Sequence, residues 1–501
     1  MDRTPKHGQR IRLEDVLEMI NRSKNLFTSS PFRLAEIELT NYDYLFQQSA
    51  DDPATKLDPT ASTIAGLRAL GAAMRDDGAE APSGIPAAYT YLGQFVDHDI
   101  TLLAESDLIR DELLTQDLFQ PIQTSDLRSN IKNTRTATFD LDSVYDNAPT
   151  DNGLLKIGQT SPVGNKPPGK GTDNDLPRAG GVPVPDGKHR KALIGDARND
   201  ENLIVAQLHL AFLKFHNAIQ TQTGMSFDDA KRTVRQHYQW LILHDFLDRI
   251  CDNQIVNDIR TNGNRFYNPS DDDFFIPIEF TTAAYRFGHS MIRTNYNINA
   301  NFLPATLTQL FQFTGLSGDM AGLDTLPENW IIEWDNLLPF NANKDDKAMK
   351  INTHLTVILQ QLPNQRAGIL QSLAKRNLLR GYLLNIPVGQ ALASEALDPG
   401  DVLTPAQILG NANAEERQIL ENNNFHVKTP LWYYILAEAA IQQNGDRLGK
   451  LGSVIVGETI VGLIARSKDS ILQIPGWQPT LANPFTLESL IDVAGLGPTT
   501  V

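Results

Sequence analysis

Apolar residues recur at three- and four-residue spacing along Glu14–Asn25, Pro86–Leu103, Asn202–Thr223, Phe227–Ile250 and Phe280–Ile292, and again along Leu431–Gln443 and Gly452–Ser467. That period lays an apolar stripe along one side of an α-helix. No series of regularly spaced alternating strands runs through the chain, which argues against an all-β or doubly wound α/β design. The expected fold class is mainly α, with long irregular loops and little β. The chief interruption is 147–188, where NKPPGKGTDND and GGVPVPDG crowd Pro, Gly, Asp and Asn into a stretch that sustains neither a helix nor a central strand. A loop of this length inside a compact domain is usually functional or disordered. With no internal repeat in view, the expected organisation is one large helical domain over 85–501, with 1–84 as an N-terminal extension packed on it. The alternative is that 147–188 links two domains.

The chain of 501 residues, 41% of them hydrophobic, can bury a large core. A net charge of −16 and a pI near 5.1 leave no basic field for nucleic acid or an anionic membrane, so no nucleic-acid partner is expected. Cys251 is the one cysteine, which excludes an intrachain disulfide. The N-terminus lacks the apolar core of a signal peptide, and no run is long enough for a membrane span. A cytoplasmic protein, or one secreted without a cleaved signal, is expected.

Chemistry concentrates first in Ile85–Asp99. Pro86 suits a helix first turn, and at about 100° per residue Gln94, Asp97, His98 and Thr101 share one face while Asp99 points to another flank. A neutral His98 can take a proton from hydrogen peroxide and return it to the leaving oxygen. A lone His-Asp pair is otherwise a solvated helix face. Further on, Thr136–Tyr145 puts an oxygen-bearing side chain at every second position, a layout that suits a hard cation with six to eight oxygen ligands, or else a solvated strand edge.

The segment YLGQFVDHDIT resembles the distal-helix motif of the animal haem peroxidases, the peroxidase-cyclooxygenase superfamily that includes myeloperoxidase and lactoperoxidase. Ile194–Glu201 resembles the family's GDxRxxE, Thr282–Ser290 its proximal motif around RFGHS, and Asn377–Gly381 with Ile386-Pro387 a later one, all in the family's order. The resemblance spans roughly residues 85 to 390, and Leu431–Ser467 also looks like the family's C-terminal helices.

The resemblance implies the following roles. His98 is the distal histidine, Gln94 its neighbour and Arg198 the distal arginine, whose permanent charge can stabilise an anionic peroxide. His289 is the proximal ligand of the haem iron and Asn377 its partner, with Arg286 counted among the cofactor-binding residues. Asp97 and Glu201 are ester links to haem b. Asp99, Thr136, Thr138, Asp140 and Asp142 bind calcium, Thr138 through its carbonyl. Calcium would tie Asp99 to the loop and so pin His98 over the iron. The implied activity is reduction of hydrogen peroxide through a ferryl porphyrin radical, with halide, thiocyanate or phenols as electron donors.

Three departures shape the expectation. Asp142 stands where relatives carry serine, adding a negative charge to the cation site. Asn202 stands where myeloperoxidase has the methionine of its sulfonium link, so that bond should be absent and strong chloride oxidation is not expected. Arg286 lies three residues before His289, where the dioxygenase branches carry a radical tyrosine, and Tyr285 is one residue further back. The single cysteine cannot supply the disulfides of secreted mammalian members, which points to a microbial-type or intracellular branch. Two other classes compete. His98-Asp99 and His244-Asp245 would be metal ligands in an HD-type phosphohydrolase, and a non-catalytic haem- or calcium-stabilised protein could keep the scaffold without turnover.

Overall fold

The computed structural model describes Glu14 and residues 39–498, apart from 77, 79–80, 105, 183, 185–186, 271–272, 341–343 and 363–367. The helix expected over Glu14–Asn25 lies outside the described residues except for Glu14 itself.

The chain folds mainly as α-helix around one core. Two helices, Leu431–Gln443 and Lys450–Arg466, are buried over most of their circumference, and such all-round apolarity marks the centre of a large domain. They join through the buried Glu438, whose carboxylate accepts from the backbone N–H groups of Leu451 and Gly452 (both 3.0 Å) and so satisfies the start of the second helix. The 21-residue helix Leu203–Thr223 begins on the Asn202 side chain, which accepts from Val205 N–H, and ends at Gly224 with φ 71°. It packs against Ala88–Ile100, where Phe95 stacks on Phe212 with ring centroids 4.6 Å apart. Strands are few and short. Thr40–Asp43 lies between Lys132–Asn133, to which it is antiparallel, and Phe275–Pro277, to which it is parallel. Helix Ala61–Ala73 packs on Leu373–Leu383, so residues from 40 onward are built into the core.

Three sequence expectations are corrected. Pro86 closes the strand Pro82–Pro86, which pairs with Lys347–Met349, and the helix starts at Ala88. The stretch read as one helix over Phe280–Ile292 is two pieces, Ile278–Thr282 and a tighter 3₁₀ turn Ala284–His289, broken at Ala283 (φ −130°, ψ −70°). Phe227–Ile250 is interrupted by a π-helical stretch, Ile242–Phe246.

Among its described residues the long 147–188 excursion carries, besides isolated bridges, one two-residue hairpin, Thr150–Asp151 with Leu154–Leu155, turned through Asn152 (φ 50°) and Gly153 (φ 80°). Two consecutive positive φ values make the tight turn whose twist matches a hairpin. Its far end is anchored by Arg178. The guanidinium forks onto Asp175 (2.7 and 2.8 Å) and reaches Asp200 (2.8 Å), with side chains only 4% and 2% exposed. Removing one member of a buried ion group strands the others. Arg178→Leu is therefore expected to cost about 3–5 kcal/mol in denaturant unfolding, and a loss under 1 kcal/mol would show that the loop is not anchored there.

Candidate active site

A cleft of about 1580 Å³, partly open to solvent, runs between the Ala88–Ile100 helix and the Ala284–His289 turn. Gln94, Asp97, His98 and Thr101 line it from the first wall, with Arg198, Glu201 and Asn202 beside them; Tyr285, Arg286, Phe287, Gly288 and His289 line the second, and Arg376 reaches it as well. The helical spacing accounts for the first set, since positions three and four apart share a face. Asp99 points elsewhere and is fully buried.

His98 is 5% exposed. Burial, reinforced by the nearby Arg198 cation, lowers its pKa below the ordinary histidine range, which favours a neutral ring. Its Nδ1 lies 2.8 Å from Asn199 Oδ1, and its Nε2 is 3.7 Å from Glu201 Oε1. Gln94 is held from two sides: its amide nitrogen donates to Glu201 Oε1 and its carbonyl accepts from Asn202 Nδ2 (2.8 Å). Asn202 thus serves both as helix cap and as a brace for Gln94.

Arg198 sits in the 3₁₀ turn Ala197–Asp200, capped by the Asp196 side chain. Its Nη2 donates to the carbonyls of His98 (3.0 Å) and Thr101 (2.6 Å) and to Asp196 Oδ2 (2.7 Å). Arg135 reaches the same carboxylate at 2.5 Å. Burial alone would raise the Asp196 pKa, but the two guanidinium groups hold it well below the carboxylate range.

On the opposite wall, His289 Nδ1 is 2.8 Å from Asn377 Nδ2, while Asn377 Oδ1 accepts from Arg286 Nη1 (3.2 Å). A ring that ligates a metal through Nε2 keeps its proton on Nδ1 and must donate it. A half-turn of the Asn377 amide would supply the acceptor within the same volume, at the cost of its bond from Arg286. Trp432 braces the turn from behind, its indole N–H donating to Arg286 O (3.2 Å).

The segment over Thr136–Tyr145 does not run as an extended alternation. Leu141 takes a left-handed conformation (φ 56°), and Asp142–Tyr145 curls into a helical turn. Thr136 Oγ1 donates to Asp142 Oδ2, Thr138 Oγ1 to Asp140 Oδ2 (2.8 Å), and Asp99 accepts from Ser143 Oγ (2.8 Å) and the backbone N–H groups of Ser143 (3.1 Å) and Leu141 (3.3 Å). Burial, with the Asp142 carboxylate nearby, pushes Asp99 up to about 7. Among the described residues, no group of three or more His, Cys, Asp or Glu side chains is placed to hold a metal ion. His98-Asp99 and His244-Asp245 accordingly form no such group. Asp245 accepts from Tyr89, Arg249 and the Leu487 N–H.

Sequence reasoning missed Asn199, His209, Asp196 and Trp432. Asn199 and Asp196 stand inside Ile194–Glu201, the segment that resembles GDxRxxE, but without an assigned role, and nothing local marks His209, whose Nδ1 accepts from Asn199 Nδ2 at 3.0 Å.

The family model for animal haem peroxidases matches residues 68–315. The chain is 27% identical over 192 residues (34% of this chain) to a probable oxidoreductase PXDNL of Homo sapiens. It is 30% identical over 115 residues (20% of this chain) to a peroxidase-like protein of Margaritifera margaritifera. These matches span only 12% and 14% of the relatives' own length. Peroxidase A of Dictyostelium discoideum superposes with a TM-score of 0.54 at 17% identity, over 87% of this chain and 90% of its own. The fatty acid alpha-dioxygenase of Oryza sativa gives 0.54 at 14% identity, over 92% and 78%. At such identities the structural likeness is one of fold. With the family match covering both the Ala88–Ile100 helix and the His289 turn, the chain belongs to the animal haem peroxidase family.

Proposed function

We propose that the protein is a haem peroxidase that reduces hydrogen peroxide at the expense of small donors. The observation that carries this reading is a pair of histidines, His98 and His289, on opposite walls of one cleft, each with its Nδ1 against an asparagine amide.

The residues present fit haem b. His289 offers Nε2 to the iron, Arg286 and Arg376 offer cations to the haem carboxylates, and Phe287, Ile292 and Phe311 give apolar wall. Asp97 and Glu201, on the distal side, are the carboxylates we assign to ester links. Asn202 has no thioether, so a sulfonium link is not available. When bound, haem supplies the iron and the two electrons that cleavage of the O–O bond consumes.

The protein's own part is proton handling and charge. Neutral His98 accepts a peroxide proton at Nε2 and delivers it to the departing oxygen, which leaves as water. Arg198 stabilises the negative charge that develops there, and its fixed cation needs no proton to do so. Gln94, held by Glu201 and Asn202, offers an ordered amide at the same wall. Halide, thiocyanate and phenolic donors are all compatible with the reading. Among the described residues no helix is long and apolar enough to cross a membrane.

Calcium belongs to the same proposal, on Asp99, Thr136, Asp140, Asp142 and the Thr138 carbonyl. The support is a buried carboxylate, Asp99, with a second acid nearby and only neutral hydrogen-bond donors in contact, an arrangement that a hard cation would stabilise.

In the function test, His98→Ala keeps haem but reacts with peroxide about 10² to 10⁴ times more slowly in stopped flow. His289→Ala loses haem or its turnover. Wild-type rates in either would sink the assignment, and mass spectrometry of the denatured wild type reports the esters. Asp196→Asn removes the carboxylate that the Arg198 and Arg135 guanidinium groups share, at a cost of about 3–5 kcal/mol near neutral pH. Asp196 binds its proton less tightly folded than unfolded. Its stabilisation is complete above a pH of about 4 and fades as pH falls toward its depressed folded value, so the gap to the variant should narrow only in acid. A gap that narrows between neutrality and pH 5 would contradict this. Finally, a chelator is expected to strip calcium and to lower both the unfolding midpoint and peroxide reactivity; no bound calcium in the native protein, or removal with neither effect, refutes the cation site.

A further inference from the structure

We propose that Asn199 is a positioning residue that holds the His98 imidazole with its proton on Nδ1, and that His209 behind it keeps the Asn199 amide from turning over. The purpose of this arrangement rests on the peroxidase reading; its geometry does not.

A neutral imidazole has one N–H and one lone pair, and only the tautomer with Nε2 bare can accept a proton from a molecule in the cleft. Two observations select that tautomer. Asn199 Oδ1 stands 2.8 Å from His98 Nδ1, and an amide oxygen can only accept, so the proton belongs on Nδ1. At the other ring nitrogen, Glu201 Oε1 is 3.7 Å away, beyond hydrogen-bond distance, and accepts from Gln94, so this carboxylate does not hold a proton on Nε2 as Asn199 holds one on Nδ1.

An asparagine amide can rotate by half a turn and reverse this logic, which is where His209 enters. Asn199 Nδ2 donates to His209 Nδ1 at 3.0 Å, so the amide is fixed at both ends. Both side chains are fully buried, and the Asn199 backbone is held in the 3₁₀ turn by its own N–H on Asp196 O (3.1 Å). His209 keeps a single ring proton, because burial lowers its pKa to about 3. Its Nε2 has no hydrogen-bond partner among the described residues. A buried ring nitrogen left unpaired is unfavourable, and the site carries it while the Nδ1 side of both rings is satisfied through one amide.

The deciding experiment uses the full chain with ¹⁵N-labelled histidine, read as the ferrous carbon monoxide complex, which is diamagnetic. His98 is expected to show a proton on Nδ1 and a bare Nε2. Asn199→Leu should keep haem content and absorption spectrum, abolish the preference for the Nδ1 tautomer, and slow the reaction with peroxide about 10- to 100-fold while the KM for the electron donor stays unchanged. Asn199→Asp, which can only accept, should restore the tautomer and most of the rate, with His209 turning its own proton to Nδ1. The proposal is overturned if the wild-type proton sits on Nε2, if Asn199→Leu reacts at the wild-type rate, or if Asn199→Asp is slower than Asn199→Leu. Should the leucine variant not fold, the wild-type tautomer and the aspartate variant decide. If the purified chain binds no haem, the peroxidase reading falls, and the tautomer of His98 is read on the same chain without it.

Discussion

The arrangement of the distal wall depends on one buried carboxylate. Asp196 caps the turn that carries Arg198, pairs with Arg198 and Arg135, and thereby fixes a guanidinium that reaches across to the carbonyls of His98 and Thr101 at the end of another helix. The helix end needs those donors, because its last carbonyls have no partner within the helix. Arg198 therefore joins two elements far apart in sequence, and the residue best suited to stabilise negative charge in the cleft also sets the distance between them. A lysine could carry the charge but not the fork of donors.

The two walls solve the same problem with the same side chain. An imidazole by itself has no preference strong enough to fix its tautomer and ring orientation, so each histidine needs a partner for Nδ1. Asn199 supplies it on one side and Asn377 on the other, and each amide is anchored at its second end, by His209 and by Arg286. Anchoring matters because an amide is nearly symmetric in shape and can reverse its polarity without disturbing the packing. On the distal wall the neutral anchor accepts from the amide and leaves its oxygen facing His98; on the proximal wall the amide nitrogen faces His289, and ligation through Nε2 would turn that amide over and exchange its bond from Arg286.

Much of this was legible in the sequence where the signal is local. Leu431–Gln443 could be read to its ends because Pro430 precedes it and Asn444, in a left-handed conformation, follows. The face shared by Gln94, Asp97 and His98 follows from helical spacing alone. What could not be read depends on contacts across the chain or on backbone breaks without a marker residue. The break before His289 falls at Ala283, with neither glycine nor proline to announce it, and converts an expected helix into two pieces. Leu141 undoes the alternation over Thr136–Tyr145 by adopting positive φ, which a β-strand cannot contain and which leucine composition does not suggest. Asn199 and His209 form a pair only because one turn lies against one helix.

The short strand Thr40–Asp43 has a bearing on how such a protein can change over evolutionary time. It is the middle strand of three, with Lys132–Asn133 on one edge and Phe275–Pro277 on the other, and the latter leads into Ile278–Thr282 and the His289 turn. Recognisable family sequence begins only at residue 68. The cooperative unit thus begins earlier than the unit a sequence comparison detects. A rearrangement that joined this chain to a new neighbour at residue 68 or 84 would remove the strand on which the proximal segment is laid, whereas one that entered the hairpin at Asn152-Gly153 would meet only solvent. Modularity here is set by which strand lies in the middle, and the conspicuous motifs do not mark its limits.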